Sequence, residues 1–195
     1  MKLRLTILSV VFLSILLFFS TNSAYATHDD VVVAAVETTG AARGPALQIY
    51  NKQTGALRLT VFVLNQNFGA DFQIVQNVRN GGSQHERILV CGRETAGAAR
   101  GPAFQLFERD GTLVHTRFVL NANFTELGCG TRDTDGDGIH EIITVGNETS
   151  GLARGWFLQI WNQTTGNVIG TVQTFNPDFK NSTLSVCSGR DDSCD

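Results

Sequence analysis

The chain is poor in charged residues and has no excess of basic ones. Only 17% of its 195 residues are charged, and the formal net charge is −3. Binding to nucleic acid needs a basic patch or stripe on the surface, so no nucleic acid partner is expected. The sequence also has few long helical patterns, and its serines and histidines form no recognisable catalytic motif. Composition therefore favours neither a helical fold nor an enzyme.

The apolar run near the N-terminus is too short for a confident membrane span, which needs about 20 residues. It follows a basic start at Lys2 and Arg4 and precedes Ala24-Tyr25-Ala26. A basic start, a short hydrophobic stretch and an A-x-A site are typical of a cleaved secretory signal. We therefore expect residues 1–26 to be removed, leaving a secreted, extracellular or periplasmic chain with no membrane span. An uncleaved N-terminal anchor is the alternative.

Glycine is abundant, and the chain contains four cysteines. The 20 glycines indicate β structure with many turns. All four cysteines lie in the exported part, where disulfides can persist, but four cysteines allow three pairings and the sequence does not choose among them. Cys129 and Cys187 could approach each other, Cys187 could instead pair with Cys194, and Cys91 could be a free buried thiol.

Three segments of the chain share one pattern. The motif E-T-x-G-x-A-R-G begins at Glu37, Glu94 and Glu148, at spacings of 57 and 54 residues (37 to 94 and 94 to 148). A fixed period of this size, built from short strands, is typical of a solenoid, a propeller or an array. Each motif is followed by a strand of alternating apolar residues with a glutamine at its centre and an aromatic residue two positions later. We expect the glutamine to bond neighbouring backbone and the aromatic residue to lie in the core. These pairs are Gln48 and Tyr50, Gln105 and Phe107, and Gln159 and Trp161.

Each unit is predicted to contain four strands, A to D, as in a blade of a β-propeller. The mature chain begins at a B strand over 31–36 and ends at an A strand over 184–188, which gives twelve strands in all. We therefore predict an all-β, propeller-like array of three four-stranded blades within one domain, residues 27–195. Its units are at about 31–86, 87–141 and 142–195. Because propellers typically have about four to eight blades, we expect an unusual closure or completion by oligomerisation, such as a six-bladed ring from two chains.

A metal site is predicted in the A–B connection of the last complete set of strands A to D, which reads D-T-D-G-D-G-I-H-E. Glycines between the aspartates let the backbone curl around one point, and carboxylate and carbonyl oxygens suit Ca²⁺. The loop is not an EF-hand, because a β-branched run follows it rather than a helix. The alternative is a solvated acidic turn without a metal. We assign four side-chain ligands and one carbonyl ligand, in chain order Asp133, Asp135, Asp137, the carbonyl of Ile139, and Glu141.

The calcium loop, the period and the glycine-rich B–C loop resemble the FG-GAP repeats of integrin-α-type propellers, and most closely their bacterial VCBS-like version. The strand after the B–C loop carries this resemblance in Gly44-Pro45 with Ile49-Tyr50, and in Gly101-Pro102 with Leu106-Phe107. The resemblance implies calcium in A–B loops and a binding or adhesive role. The sequence departs from the family at Glu141, where aspartate is usual.

A second calcium site is a hypothesis at the joined chain ends. The C-terminal segment matches the start of the calcium loop in order, which places Asp191, Ser193 and Asp195 at ligand positions and Asp30 at the position of Glu141. The alternative is a frayed acidic tail. The loop between the first two units has Arg79 and Ser83 at ligand positions, so we expect no calcium there.

The repeated B–C loops present one glutamate and one arginine per unit on the face opposite the calcium loops. Arginine forks can grip carboxylates or sugar hydroxyls, so these residues are candidates for binding a protein or carbohydrate ligand. The alternative is pairing between blades, with each arginine on a neighbour's glutamate or carbonyls. The residues are Glu37, Arg43, Glu94, Arg100, Glu148 and Arg154.

These observations together predict a secreted calcium-binding propeller that acts as an adhesion or carbohydrate-recognition module, in which calcium is structural. Two other functions stay open. One is an enzyme or an accessory domain of a polysaccharide- or lipid-degrading enzyme, which the resemblance allows. The other is a structural assembly subunit that associates with copies of itself.

Overall fold

A computed structural model describes residues 30–36, 44–81, 86–94, 101–148 and 155–175. Within these residues the chain forms eleven strands and no helix, so the predicted all-β class is confirmed. None of the described residues belong to a helix that could cross a membrane. The predicted signal segment, residues 1–26, and the last predicted A strand, residues 184–188, lie outside the described residues.

The eleven strands form three antiparallel sheets. Sheet 1 has the order β1-β2-β3, sheet 2 the order β4-β5-β6-β7, and sheet 3 the order β8-β9-β10-β11. Neighbours in the chain are thus neighbours in each sheet, because short connections join antiparallel strands directly. The strands are β1 Asp30–Val36, β2 Pro45–Asn51, β3 Leu57–Phe62, β4 Phe68–Arg79, β5 Glu86–Glu94, β6 Pro102–Glu108, β7 Leu113–Phe118, β8 Phe124–Arg132, β9 Glu141–Glu148, β10 Gly155–Trp161 and β11 Val168–Phe175.

Sheet 2 lies between the other two sheets. Successive side chains of a strand point to opposite faces, and in β5 the two sets enter different cores. Ile88 and Val90 pack with residues of sheet 1, whereas Leu89 and Cys91 pack with residues of sheet 3. Sheets 1 and 3 therefore cover opposite faces of sheet 2, and the three sheets form a face-to-face stack.

Each sheet has one glutamine at the centre of a strand: Gln48 in β2, Gln105 in β6 and Gln159 in β10. We call the face of the sheet that carries this glutamine the glutamine face, and the opposite face the reverse face. The side-chain oxygen of Gln105 accepts the backbone N–H of Leu64 in the connection after sheet 1. That of Gln159 accepts the N–H of Leu120 in the connection after sheet 2. The glutamine face of each later sheet thus packs on the reverse face of the sheet before it, and the predicted bonding to neighbouring backbone is confirmed for these two glutamines.

A glycine is required directly before β6 of sheet 2. Gly101 has φ 103°, a left-handed conformation that residues with a Cβ rarely adopt. A Cβ at this position would also lie 2.6 Å from the carbonyl oxygen of Asn121. Gly44 has the same conformation and the same close approach to Asn65. The glycines at the ends of the first two predicted B–C loops are therefore explained by backbone packing against the connection between two sheets.

The disulfide arrangement differs from what the sequence suggested. Cys91 of β5 is bonded to Cys129 of β8, so the prediction that Cys91 is a free buried thiol is wrong. The alternative of a disulfide between Cys129 and Cys187 is also excluded, because the Cys129 sulfur is already bonded to that of Cys91. Cys187 and Cys194 lie outside the described residues. The disulfide forms because the two cysteines occupy the facing surfaces of sheets 2 and 3, within one buried cluster.

Candidate metal centre

The predicted calcium loop connects the adjacent strands β8 and β9. β8 ends at Arg132 and β9 begins at Glu141, so the loop starts and ends at one end of sheet 3. Gly136 and Gly138 both have φ 84°, as the predicted curl of the backbone requires. Side-chain space does not explain these glycines, since a Cβ at either position would meet no atom within 4 Å. Their role is therefore conformational.

Three carboxylates converge inside this loop. One oxygen each from Asp133, Asp135 and Glu141 lies within 4.8 Å of the others. Glu141 is 4% exposed, whereas Asp135 is exposed and Asp133 is half-buried. At such separations each pair of like charges repels by about 1–4 kcal/mol, depending on the effective dielectric constant. A bound divalent cation would remove this cost, and an all-oxygen donor set fits a hard cation such as Ca²⁺.

Backbone N–H groups of the loop already point at the aspartates. Asp133 accepts the N–H of Gly136 at 2.7 Å and that of Gly138 at 3.0 Å, one on each carboxylate oxygen. Asp135 accepts the N–H of Asp137 at 3.2 Å. These bonds hold the loop in its curled form and leave lone pairs on the carboxylates, each of which has about four acceptor positions.

Asp137 is the predicted carboxylate ligand that lies apart from the other three. The Asp137 carboxylate is outside the cluster and accepts the N–H of Ile139 at 2.7 Å. Ile139 forms a β-bridge with Asn80 at the end of β4. The arrangement therefore brings together three of the four predicted carboxylate ligands, and the carbonyl of Ile139 stays a prediction.

Thr134 is part of the site, although the sequence analysis did not select it. Its backbone N–H and its hydroxyl both donate to one oxygen of Glu141, at 2.7 and 2.6 Å. These bonds connect the first turn of the loop to the first residue of β9. Thr134 stands between two aspartates in the sequence. Nothing in that position indicates that it donates to Glu141, because a threonine in a turn is usually solvated.

The loop also contacts sheet 2. His140 donates its backbone N–H to the carbonyl of Arg79 at 3.0 Å. The amide of Gln163, a buried residue in the β10–β11 turn, donates to the same carbonyl and accepts a bond from Arg87 at 3.3 Å. Sequence patterns gave no sign of Gln163, because its partners are 76 and 84 residues away along the chain. These contacts hold the acidic loop against the β4–β5 connection.

His140 lies next to the carboxylates, and its own pKa is shifted. Burial lowers the pKa of His140 below its usual value, and the Arg79 guanidinium lowers it further. Asp133 and Glu141 act in the opposite direction. The Nδ1 atom of His140 lies 3.3 Å from the hydroxyl of Thr131. The imidazole therefore favours the neutral form, so it adds no positive charge to the cluster at neutral pH.

Asp30, proposed for the second calcium site, forms an ion pair. Its side chain is fully buried, and both carboxylate oxygens accept bonds from Nη1 of Arg58, at 2.8 and 2.7 Å. The other residues assigned to this site, Asp191, Ser193 and Asp195, lie outside the described residues. In the described structure the negative charge of Asp30 is thus balanced by arginine.

Two of the six candidate ligand-binding residues in the B–C loops lie in the described part of the chain. Glu94 and Glu148 are each 5% exposed. Glu94 accepts a bond from the Asn67 amide at 3.3 Å, and Glu148 one from the Asn123 amide at 3.5 Å. Both glutamates thus bond to the turn that precedes the first strand of their own sheet. Glu37, Arg43, Arg100 and Arg154 lie outside the described residues.

Fold and site together define an all-β chain of three stacked sheets with an acidic loop at the edge strand of the third. No protein-family model, no curated protein and no solved structure matches the chain. The resemblance to FG-GAP repeats therefore stays a prediction.

Proposed function

We propose that this protein is an exported, calcium-binding module of the β-propeller type, in which the ion is structural and the sheets carry a binding or adhesive function. The observation that carries the proposal is the convergence of Asp133, Asp135 and Glu141, with one oxygen of each within 4.8 Å of the others. The face-to-face stack of meander sheets supports the propeller part of the proposal.

The structural role of calcium follows from what the carboxylates connect. Asp133 and Asp135 lie at the start of the loop, and Glu141 is the first residue of β9. An ion shared by these groups ties the exit of β8 to the entry of β9 and fixes the loop contacts with Arg79. A ligand that binds only the folded chain raises its free energy of unfolding, by about 2.7 kcal/mol at a concentration 100 times its Kd.

The Cys91–Cys129 disulfide supports export, since disulfides persist in oxidising compartments and are rare in the cytosol. The partner class, a protein or a carbohydrate, rests on the resemblance and on the repeated glutamate and arginine residues. A glycan array with the purified protein tests the carbohydrate alternative directly, and absence of binding to any glycan would leave a protein partner as the proposal.

Calcium binding is tested by titration calorimetry and by thermal unfolding in calcium and in chelator. We expect one calcium-dependent rise in the unfolding temperature for the unchanged chain. Asp135→Asn should remove most of this rise, because the residue contributes a carboxylate to the cluster but accepts only one long backbone bond. The stability in chelator should change little.

Asp110→Asn is the matched control. Asp110 is also a turn aspartate that accepts a backbone N–H, from Thr112 at 2.8 Å, but it is not part of the cluster. This variant should keep the full calcium effect. An unfolding temperature that does not respond to calcium in the unchanged chain, or an equal loss in both variants, would contradict a calcium site in this loop.

A role as a structural assembly subunit is the second candidate function. It is favoured by apolar side chains exposed at both ends of the stack, such as Val33 of sheet 1 at 48% and Val172 of sheet 3 at 55%.

A further inference from the structure

The glutamine face of sheet 1 differs from those of sheets 2 and 3 in what it contacts. Val32, Leu47 and Ile49 point into the core shared with sheet 2, so the alternating residues of the same strands point away from the stack. Among these, Val31 is 42% and Val33 is 48% exposed. Val33 lines an open groove of about 300 Å³, together with Ala35, Gln48 and Phe62.

The hydrogen bonds of Gln48 show that this face is built like the two that are covered. In each sheet the glutamine Nε2 lies within hydrogen-bond distance of a threonine hydroxyl in the next strand: Thr60 for Gln48, Thr116 for Gln105 and Thr171 for Gln159. The side-chain oxygen of the glutamine has a different partner in sheet 1 from its partner in the other two sheets. In sheets 2 and 3 it accepts a leucine N–H from the connection after the preceding sheet, whereas that of Gln48 accepts the hydroxyl of Tyr50 in its own strand at 2.6 Å.

The reverse face of sheet 3 corresponds to the reverse faces of sheets 1 and 2, on which the glutamine faces of sheets 2 and 3 pack. Gln159 points toward sheet 2, so its neighbours Leu158 and Ile160 point away from the stack. Val172 is paired with Leu158 and is 55% exposed. This face therefore offers aliphatic side chains, as the reverse faces of sheets 1 and 2 do inside the molecule.

We propose that two copies of the chain associate head to tail, with the reverse face of sheet 3 in one copy packed on the glutamine face of sheet 1 in the other. The contact continues the interaction that already joins sheets 1 and 2 and sheets 2 and 3. Because sheets 1 and 3 cover opposite faces of sheet 2, the two surfaces of one copy point apart and meet only between copies. A head-to-tail contact closes a ring or extends a filament.

The closed form has two copies. Sheets stacked around an axis form stable rings of about four to eight sheets, and two copies of a three-sheet stack supply six. Three copies would supply nine, which exceeds that range. Both end faces of both copies are then covered, and the ring contains two equivalent contacts.

The test is the mass in solution of the chain purified after export, by light scattering coupled to size-exclusion chromatography over a range of concentrations. We expect twice the mass of one chain. Val33→Lys should halve that mass, because it places a charge in the contact that desolvates on association. Val172→Lys on the other face should halve it as well. Both positions are exposed, so the circular dichroism spectrum should not change.

Leu113→Lys is the matched control, because Leu113 has the same exposure as Val33, 48%, but belongs to sheet 2, whose faces are covered within the chain. It should keep the doubled mass. A single-chain mass for the unchanged protein would overturn the proposal and would leave the chain's own residues 176–195 as the cover of sheet 1. Loss of association in only one of the two lysine variants would also overturn the proposal. It would show that the same face of each copy forms the contact, whereas a head-to-tail contact needs both faces. A mass above two chains would overturn the closed ring.

Discussion

The two interfaces between neighbouring sheets use the same hydrogen bond but differ in what reinforces it. In both, the side-chain oxygen of a glutamine accepts the N–H of a leucine in the connection that follows the preceding sheet. Between sheets 1 and 2, the buried cluster is mainly aliphatic and includes Phe107. Between sheets 2 and 3, the chain adds the Cys91–Cys129 disulfide and an edge-to-face contact of Trp161 with Phe104, whose ring centroids are 5.3 Å apart.

This difference indicates that the shared hydrogen bond orders the sheets, whereas side chains set how strongly each pair is held. Trp161 also donates its indole N–H to the Thr144 hydroxyl at 3.0 Å within sheet 3. Phe107 stands at the corresponding position of sheet 2 and has no polar group to donate. We therefore expect sheets 2 and 3 to form the more stable unit and sheet 1 to separate first during unfolding.

The largest expected effect comes from Trp161→Ala, compared with Phe107→Ala. Both side chains are buried, at 5% and 3% exposure, and replacing a buried aromatic residue by alanine costs about 3–5 kcal/mol. Trp161 should lie at the upper end of this range, because the variant also loses the aromatic pair and leaves Thr144 without its indole donor. Urea unfolding of the two variants measures the difference. Equal losses would show that the second interface is not reinforced by the tryptophan.

The next largest effect is expected from removing the disulfide. Cys91 and Cys129 are 38 residues apart, and closing a loop of that length restricts the unfolded chain enough to stabilise the fold by about 3–4 kcal/mol. A Cys91→Ala, Cys129→Ala double variant should lose this amount in urea unfolding. Reduction of the unchanged protein should cause a similar loss. We also expect the amide hydrogen exchange rates of sheet 1 to be the same in the double variant if sheet 1 unfolds first in a separate step. The reason is that sheet 1 lies outside the loop that the disulfide closes.

Sequence patterns predicted the strands well where local spacing determines them. The first described strand begins one residue before the predicted segment 31–36 and ends at the same residue. Alternating apolar residues bounded by turn residues are sufficient for such predictions. The convergence of Asp133, Asp135 and Glu141 could be predicted for the same reason, because all three belong to one short loop.

Contacts between sheets could not be read from local spacing. Cys91 and Cys129 meet because the reverse face of sheet 2 packs on the glutamine face of sheet 3, and that pairing of faces appears only in three dimensions. The orientation of Asp137 onto the Ile139 N–H is a choice between side-chain rotamers that residue order does not encode. Gln163 was missed because an isolated glutamine in a turn usually faces solvent.

The smallest expected effect tests the feature that the two interfaces share. Gln105→Ala and Gln159→Ala should each lower the free energy of unfolding by about 1–3 kcal/mol, because each leaves a partly buried leucine N–H without its acceptor. Gln48→Ala is the control, since the described bonds of this side chain lie within sheet 1. At protein concentrations where the chain is monomeric, it should cost less than either. A similar cost for all three would mean that the glutamine acts within its own sheet, and the bond to the preceding sheet would then contribute little to stacking.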